Sequence, residues 1–245
     1  MIGVIKTDVG KVRANNEDAY YFPLKRGNSP ELYIVADGMG GHFGGEIASE
    51  IAVNEVSSYI NSNLSPDSDD QKVKGIIESA IISANNKILS YASENNVLSG
   101  MGTTITMALF HNGSLYIGHV GDSRVYLIRE GSIELLTTDH SFIEELIRNG
   151  SLTREEAHNH PGRNVITRAL GCFEEIQIDT YSCDLLKGDF ILLCTDGLTN
   201  MLDENEIKAV VEKLDEPQSI CDELVRRANE NGGEDNITVI VIKND

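Results

Sequence analysis

The sequence predicts an α+β protein, a sandwich with helices packed outside one or two antiparallel β-sheets. Segments of strand and helix character come in blocks (strands, two helices, many strands, two helices, a strand), so alternating β-α-β units are absent. Four strand patterns follow one another from Gly102, with Asn112-Gly113 and Glu130-Gly131 placed where tight hairpin turns belong. Hydrophobic residues make up 40% of the 245, enough for a sizeable core, and no linker or low-complexity stretch divides the chain. Residues 1–245 therefore read as one domain.

Each element has a local signature. "ELYIVAD" is a short apolar run rich in β-formers, bounded by turn residues. "EIASEIAVNEVSSYI" spaces Ile47, Ile51, Val56 and Ile60 as one apolar helix face. Pro66 and a charge cluster end that helix, and a second runs from about Lys72 to Glu94 with Val73, Ile77, Ile81, Ala84 and Ile88 inward. "TTITMALF", "SLYIGHV", "RVYLIR" and "SIELLT" are successive strands, neighbours expected to be antiparallel. Ser141 and Glu144 have capping-box spacing for a short helix that stops at Gly150. Residues 151–170 are polar, carry Pro161-Gly162, and read as an exposed, mobile excursion. "IQIDTYS" and "DFILLCTD" resume the strands, helices follow near 203–213 (capping pair Asp203 and Glu206) and 217–230, and "NITVIVI" is the last strand.

Composition limits the function. A formal net charge of −19 argues against nucleic acid, whose phosphates are bound by an excess of lysine and arginine. An acidic balance is ordinary for solubility, but it leaves open that some carboxylates ligate metal. No apolar run is long enough to span a membrane, and the N-terminus does not read as a signal peptide. Cys172, Cys183, Cys194 and Cys221 lack C-x-x-C spacing and read as buried thiols of a reducing cytoplasm. The six histidines form no H-E-x-x-H zinc site.

The chemistry lies in four aspartates. "ELYIVADG" and "DFILLCTDG" both end in Asp-Gly, at Asp37 and Asp196; Asp122 follows "LYIGHV" and Asp235 precedes the last strand. One Asp-Gly is an ordinary turn, the glycine letting the chain bend sharply. Four aspartates at strand edges of one antiparallel core are more: if the strands are neighbours, the carboxylates converge and demand a cation. Ligation by oxygen alone points to Mg²⁺ or Mn²⁺. Two such ions sharing one aspartate would activate a water for attack on phosphorus. Arg13, followed closely by Glu17-Asp18, could hold a phosphate, although its spacing fits an ordinary salt bridge better. "GMGGHFGG" lacks the Gly-Lys-Ser/Thr ending of a P-loop, and its flanks are not β-α-β, so an ATP-binding enzyme is disfavoured.

"RANNED", "VADGMGGHFGGEIAS", "GTT", "VGDSRVY", "TDH", "LLCTDGL" and "EDNITVIVI" occur in the order found in the metal-dependent (PPM, type 2C) protein-serine/threonine phosphatases. The chain resembles the bacterial single-domain branch of that family from Ile5 to Ile242. The resemblance implies a four-layer sandwich, two central antiparallel sheets flanked by pairs of helices, with a flap over about 141–170. It implies hydrolysis of phosphoserine and phosphothreonine in proteins by a metal-bridging water or hydroxide, without a covalent intermediate. Asp37 would bridge both metals, Gly38 would lend its carbonyl, and Asp196 and Asp235 would hold the second ion. Glu17 and Asp18 would act through bound water, Asp122 would hold a third, weaker metal, and Arg13 would bind substrate phosphate. The expected cofactors are two Mn²⁺ or Mg²⁺ ions plus that third. The expected partners are phosphorylated proteins, including a bacterial Ser/Thr kinase and its substrates, met by a cytoplasmic monomer. Many eukaryotic relatives carry histidine, proposed as general acid, directly after Asp-Gly; this chain has Met39, and His42 reads at least equally as a helix-start histidine. The alternative is a catalytically inactive, phosphoprotein-binding relative, disfavoured because Asp37, Asp196 and Asp235 are all present.

Overall fold

The computed structural model describes residues 1–23, 30–40, 44–157 and 160–245. In chain order these form β1 (Ile2–Asp8), β2 (Asp18–Tyr21), β3 (Glu31–Met39), α1 (Gly44–Asn63), α2 (Asp70–Glu94), β4 (Gly102–Thr103), β5 (Ile105–His111) and β6 (Ser114–Val120). β7 (Arg124–Arg129), β8 (Ser132–Leu135), α3 (Phe142–Arg148), α4 (Arg154–Ala157) and β9 (Asp179–Asp184) follow. The chain closes with β10 (Phe190–Cys194), α5 (Asp196–Thr199), α6 (Glu204–Lys213), α7 (Pro217–Glu230) and β11 (Ile237–Lys243). One sheet has the order β1-β11-β10-β7-β8 and the other β2-β3-β5-β6-β9, with β4 paired to β3. Every strand pair is antiparallel.

Strand alternation creates the layers. Along β3, Leu32, Ile34 and Ala36 turn to α1 and α2, while Tyr33 and Val35 turn the other way. The second set meets Val125, Leu127, Ile191, Leu193, Ile240 and Ile242 of the opposite sheet. The intervening residues of those strands (Tyr126, Ile128, Leu192, Val239, Val241) pack outward under α6 and α7. The result is the expected order of helices, sheet, sheet, helices. Both hairpins form as read: Asn112, Gly113, Glu130 and Gly131 all adopt positive φ, the conformation that two-residue turns demand. Asp203 and Glu206 make a reciprocal capping box, and Ser141 accepts from the Glu144 amide.

Several expectations are corrected. β6 and β7 do not pair; the chain leaves one sheet at Val120 and enters the other at Arg124. The local pattern is the same on both sides of the crossing, so periodicity could not reveal it. In α1 the buried stripe is Ala48, Ala52, Val56 and Ile60, with Ile47 and Ile51 only partly buried beside it. Only Cys194 and Cys221 are buried; Cys183 is half-buried on an edge strand and Cys172 is exposed in a turn. The stretch 151–170 is not exposed throughout, because Leu170 is buried and bridged to Thr103, and Ile166 bridges Ser141. His42 lies outside the described residues.

Candidate active site

The aspartates converge because two sheets face each other, not because four strands adjoin. β10 and β11 are neighbours in one sheet and deliver Asp196 and Asp235; β3 and the end of β6 bring Asp37 and Asp122 from the other. A cavity of about 250 Å³ lies between them, lined by Arg13, Glu17, Asp37, Gly38, Asp122, Asp196 and Asp235, with Asn164 and Ile166 of the flap at its edge. Met39 also lines it. Asp18 does not: it is buried and paired in register with Asp37, outside the lining.

The Asp-Gly glycines are not turn residues. Gly38 stays in β3, paired with Thr103, and a Cβ there would stand 2.2 Å from the Gly45 carbonyl oxygen at the start of α1. Gly197 lies inside α5, and its Cβ would stand 2.0 Å from the Asn236 carbonyl oxygen. Gly38 lets α1 begin directly against the strand that carries Asp37, and Gly197 lets α5 lie directly against the residue after Asp235.

Threonine and asparagine side chains fix the acids. Asp18 Oδ2 accepts from Thr195 Oγ1 at 2.9 Å and Thr238 Oγ1 at 2.7 Å. Asn236 accepts from the Glu17 amide at 2.8 Å and donates to the Val9 and Asn15 carbonyls at 3.0 and 2.9 Å, tying the Arg13 loop to β11. Thr104 Oγ1 accepts from the Asp37 amide at 2.9 Å and contacts Ser123 Oγ at 3.0 Å. Asn200 donates to Asp196 Oδ2 at 2.9 Å. Sequence reading gave these residues no role. Their one signal was position, either beside a site aspartate or as isolated polar residues in apolar strands.

Burial and mutual repulsion dominate the electrostatics. Burial pushes Asp37 well above the usual carboxylate range, and Asp18, Asp196 and Asp122 add to it. Asp122 is likewise pushed well up by burial and by Asp196, and Asp196 is raised by burial and by Asp235. Burial lifts Asp18 to about 7, against the two threonine hydrogen bonds. For Glu17, burial raises the carboxyl more than Arg13 lowers it. Arg13 pairs with Asp235 at 2.7 Å, so the salt bridge that its spacing suggested is present at the cavity rim.

Among the described residues, no three acidic, histidine or cysteine side chains stand close enough to grip an ion as placed. The donor set nevertheless fits a hard divalent cation. Asp18 Oδ1 and Asp196 Oδ1 are buried and meet no hydrogen-bond donor of the protein. Such orphaned anionic oxygens are costly unless a proton or a cation reaches them, and oxygen-only donors suit Mg²⁺ or Mn²⁺.

A buried histidine braces the Asp122 loop. His140 Nδ1 accepts from the Gly121 amide at 3.0 Å, and its own amide donates to the Gly121 carbonyl at 2.7 Å. Its carbonyl takes the Thr167 amide at 2.7 Å, and Nε2 faces Asp179 at 3.2 Å. Burial lowers its pKa, which keeps Nδ1 an acceptor. His140→Ala is expected to cost about 1–3 kcal/mol by stranding the Gly121 amide and Asp179, the partners of its ring, with His140→Asn, which keeps an acceptor near Gly121, recovering part of it. Thermal unfolding of both variants checks this.

The Protein phosphatase 2C family model matches residues 10–238. The chain belongs to that family. Among 2C-family relatives, it is 38% identical over 240 residues to the serine/threonine phosphatase stp of Listeria monocytogenes, covering 98% of this chain and 94% of that protein. It is also 38% identical over 240 residues to the protein phosphatase PhpP of Streptococcus pneumoniae, covering 96% and 94%. Its fold superposes on the Mycobacterium tuberculosis serine/threonine phosphatase PstP/Ppp with a TM-score of 0.88 at 35% identity, covering 98% and 97% of the two chains. The Staphylococcus aureus serine/threonine phosphatase Stp1 gives 0.91 at 35% identity, covering 99% and 94%. A PstP catalytic domain solved with two manganese ions gives 0.84 at 33% identity, covering 98% and 96%. The family is metal-dependent, in keeping with the acidic cavity of this 2C-family chain.

Proposed function

We propose that this protein is a metal-dependent protein-serine/threonine phosphatase whose reaction takes place in the Asp37–Asp196–Asp235 cavity. The observation that carries the reading is the buried, mutually repelling set of carboxylates at the meeting edge of the two sheets, with an arginine at its rim. Asp37, Asp196, Asp235 and the Gly38 carbonyl would hold two ions, Mn²⁺ or Mg²⁺, with Glu17 and Asp18 ordering water around them and Asp122 holding a third. When bound, such ions supply a strong water-derived nucleophile at neutral pH and neutralise charge on the phosphoryl oxygens.

The chain's own part is positioning. Arg13, half-exposed at the rim and paired with Asp235, would exchange that partner for a phosphate and orient it with its planar fork. Asn236 holds the Arg13 loop and the Glu17 backbone to β11, so cation and acids keep fixed spacing. Thr104 sets the Asp37 backbone from the neighbouring strand. Of the described residues lining the cavity, none is a histidine.

The reading extends to residues 1–245 acting as one catalytic unit, a cytoplasmic monomer that meets a bacterial Ser/Thr kinase and its substrates. Free thiols at all four cysteines support that compartment. The test is phosphate release from phosphoserine and phosphothreonine peptides with and without Mn²⁺. Metal-dependent turnover is expected, and Arg13→Ala should raise KM about 10- to 100-fold, the worth of a charge-assisted hydrogen bond. Peptide binding without turnover at saturating Mn²⁺ would instead establish the inactive relative.

A further inference from the structure

A groove of about 390 Å³ lies between two arms of chain, 167–169 and 175–177, and Phe173 from the turn that joins them also lines it. That turn is pinned to α2. Asn85, buried there, donates through Nδ2 to the Phe173 carbonyl at 2.8 Å and accepts from the Gly171 amide at 2.8 Å. Phe173 is nevertheless 58% exposed. A large apolar side chain on a turn already fixed is presented for contact, with little backbone freedom left to lose on binding. The arms themselves carry unpaired main chain. The amides and carbonyls of Arg168, Ala169, Glu175, Ile176 and Gln177 meet no hydrogen-bond partner among the described residues. Thr167 Oγ1 is also buried without one. For Ala169, only 3% exposed, leaving such groups unmet is costly.

Open main chain beside an exposed aromatic ring matches an extended polypeptide, which offers amides and carbonyls in alternation and side chains between them. The charges of the lining, Arg168 and Glu175, are opposite, so neither sign of partner is selected. The groove is continuous with the site of reaction: Ile166 lines the catalytic cavity, and Thr167, the next residue, lines the groove. An extended chain advances about 3.3 Å per residue, so residues about three to six from a phosphoresidue in the cavity reach the groove.

We propose that this groove docks an extended stretch of the substrate polypeptide, through its main chain and through one apolar side chain set against Phe173. It rests on the phosphatase reading, since the same substrate must place its phosphoresidue in the catalytic cavity. Recognition of this kind tolerates many sequences and selects phosphoresidues that lie in accessible, extended chain.

The test compares a short phosphothreonine peptide, two residues on either side, with peptides extended by six uncharged residues on the N-terminal or the C-terminal side, each extension containing one leucine. p-Nitrophenyl phosphate is the substrate without a chain. One of the two extensions should raise kcat/KM over the short peptide by about five- to tenfold, chiefly through KM, the worth of one or two hydrogen bonds and an apolar contact. N-methylation of the extension, one amide at a time, should remove most of that gain at alternate positions and spare those between, the period of a strand. In Phe173→Ala the ratio of long to short peptide should fall to about threefold or less, the short peptide serving as control within the variant. Equal kcat/KM for short and long peptides in an enzyme that hydrolyses p-nitrophenyl phosphate would overturn the docking groove and leave the phosphatase reading intact. So would a gain indifferent to N-methylation at every position, or one that survives Phe173→Ala undiminished. Failure to hydrolyse any of these compounds at saturating Mn²⁺ would overturn the phosphatase reading itself, and the docking groove with it.

Discussion

Asp37→Asn is expected to abolish metal-dependent phosphate release and yet to raise the melting temperature of the metal-free protein. Asp37 is buried on β3 with three other aspartates acting on it, and every one of them raises its pKa. Above the ordinary carboxylate range the unfolded chain gives up this proton while the fold retains it. The unfolded state then binds fewer protons, so stability falls as pH rises from about 4 toward neutrality. Asparagine keeps the shape and removes the titration, which should return on the order of 1–3 kcal/mol, or about 2–10 °C in a chain of this size. The catalytic loss should be about a thousandfold or more, since ion-assisted charge stabilisation amounts to several kcal/mol.

Metal linkage gives the same variant a second readout. A ligand that binds only the native state stabilises it by about 2.7 kcal/mol at a hundred times its dissociation constant. Added Mn²⁺ should therefore raise the wild-type melting temperature, and Asp37→Asn should lose most of that rise. Thermal scans with and without Mn²⁺ measure both effects. A variant less stable than wild type without metal, or equally stabilised by Mn²⁺, would contradict the role given to Asp37.

What the sequence made legible was whatever short-range chemistry decides. The hairpins at Asn112-Gly113 and Glu130-Gly131, the Asp203 capping box and the inward face of α2 depend on residues a few positions apart, and each formed as read. The site aspartates were legible because they interrupt apolar runs at strand ends. Other features depend on distant partners. The crossing between sheets at residues 121–123 is decided by which strand waits on the far side, since Leu127 is matched by Ile191 and not by a residue of β6. Thr195 and Thr238 clamp Asp18 from residues 177 and 220 positions away. A threonine within a strand or just past its end is too ordinary to announce such a role.

Gly197→Ala is expected to cost about 3 kcal/mol or more and to take activity with it. The added methyl would lie 2.0 Å from the Asn236 carbonyl oxygen and 2.9 Å from its carbon, so backbone must yield rather than a flexible side chain. Asn236 is the residue that secures Glu17 and the Arg13 loop, and Asp235 precedes it. Prying α5 from this strand would therefore separate Asp196 from Asp235 and loosen the rim in one movement. Gly75 is the control. It sits exposed inside α2 with nothing within 4 Å of an added Cβ, so Gly75→Ala should raise stability by about 0.5–1 kcal/mol through helix propensity alone. Opposite shifts of the two melting temperatures, with turnover lost only in Gly197→Ala, are the expected result. If Gly197→Ala melted and turned over like wild type, close approach would not be what this glycine provides. An Asp-Gly pair at the end of a strand would then mean no more than the turn it first suggests.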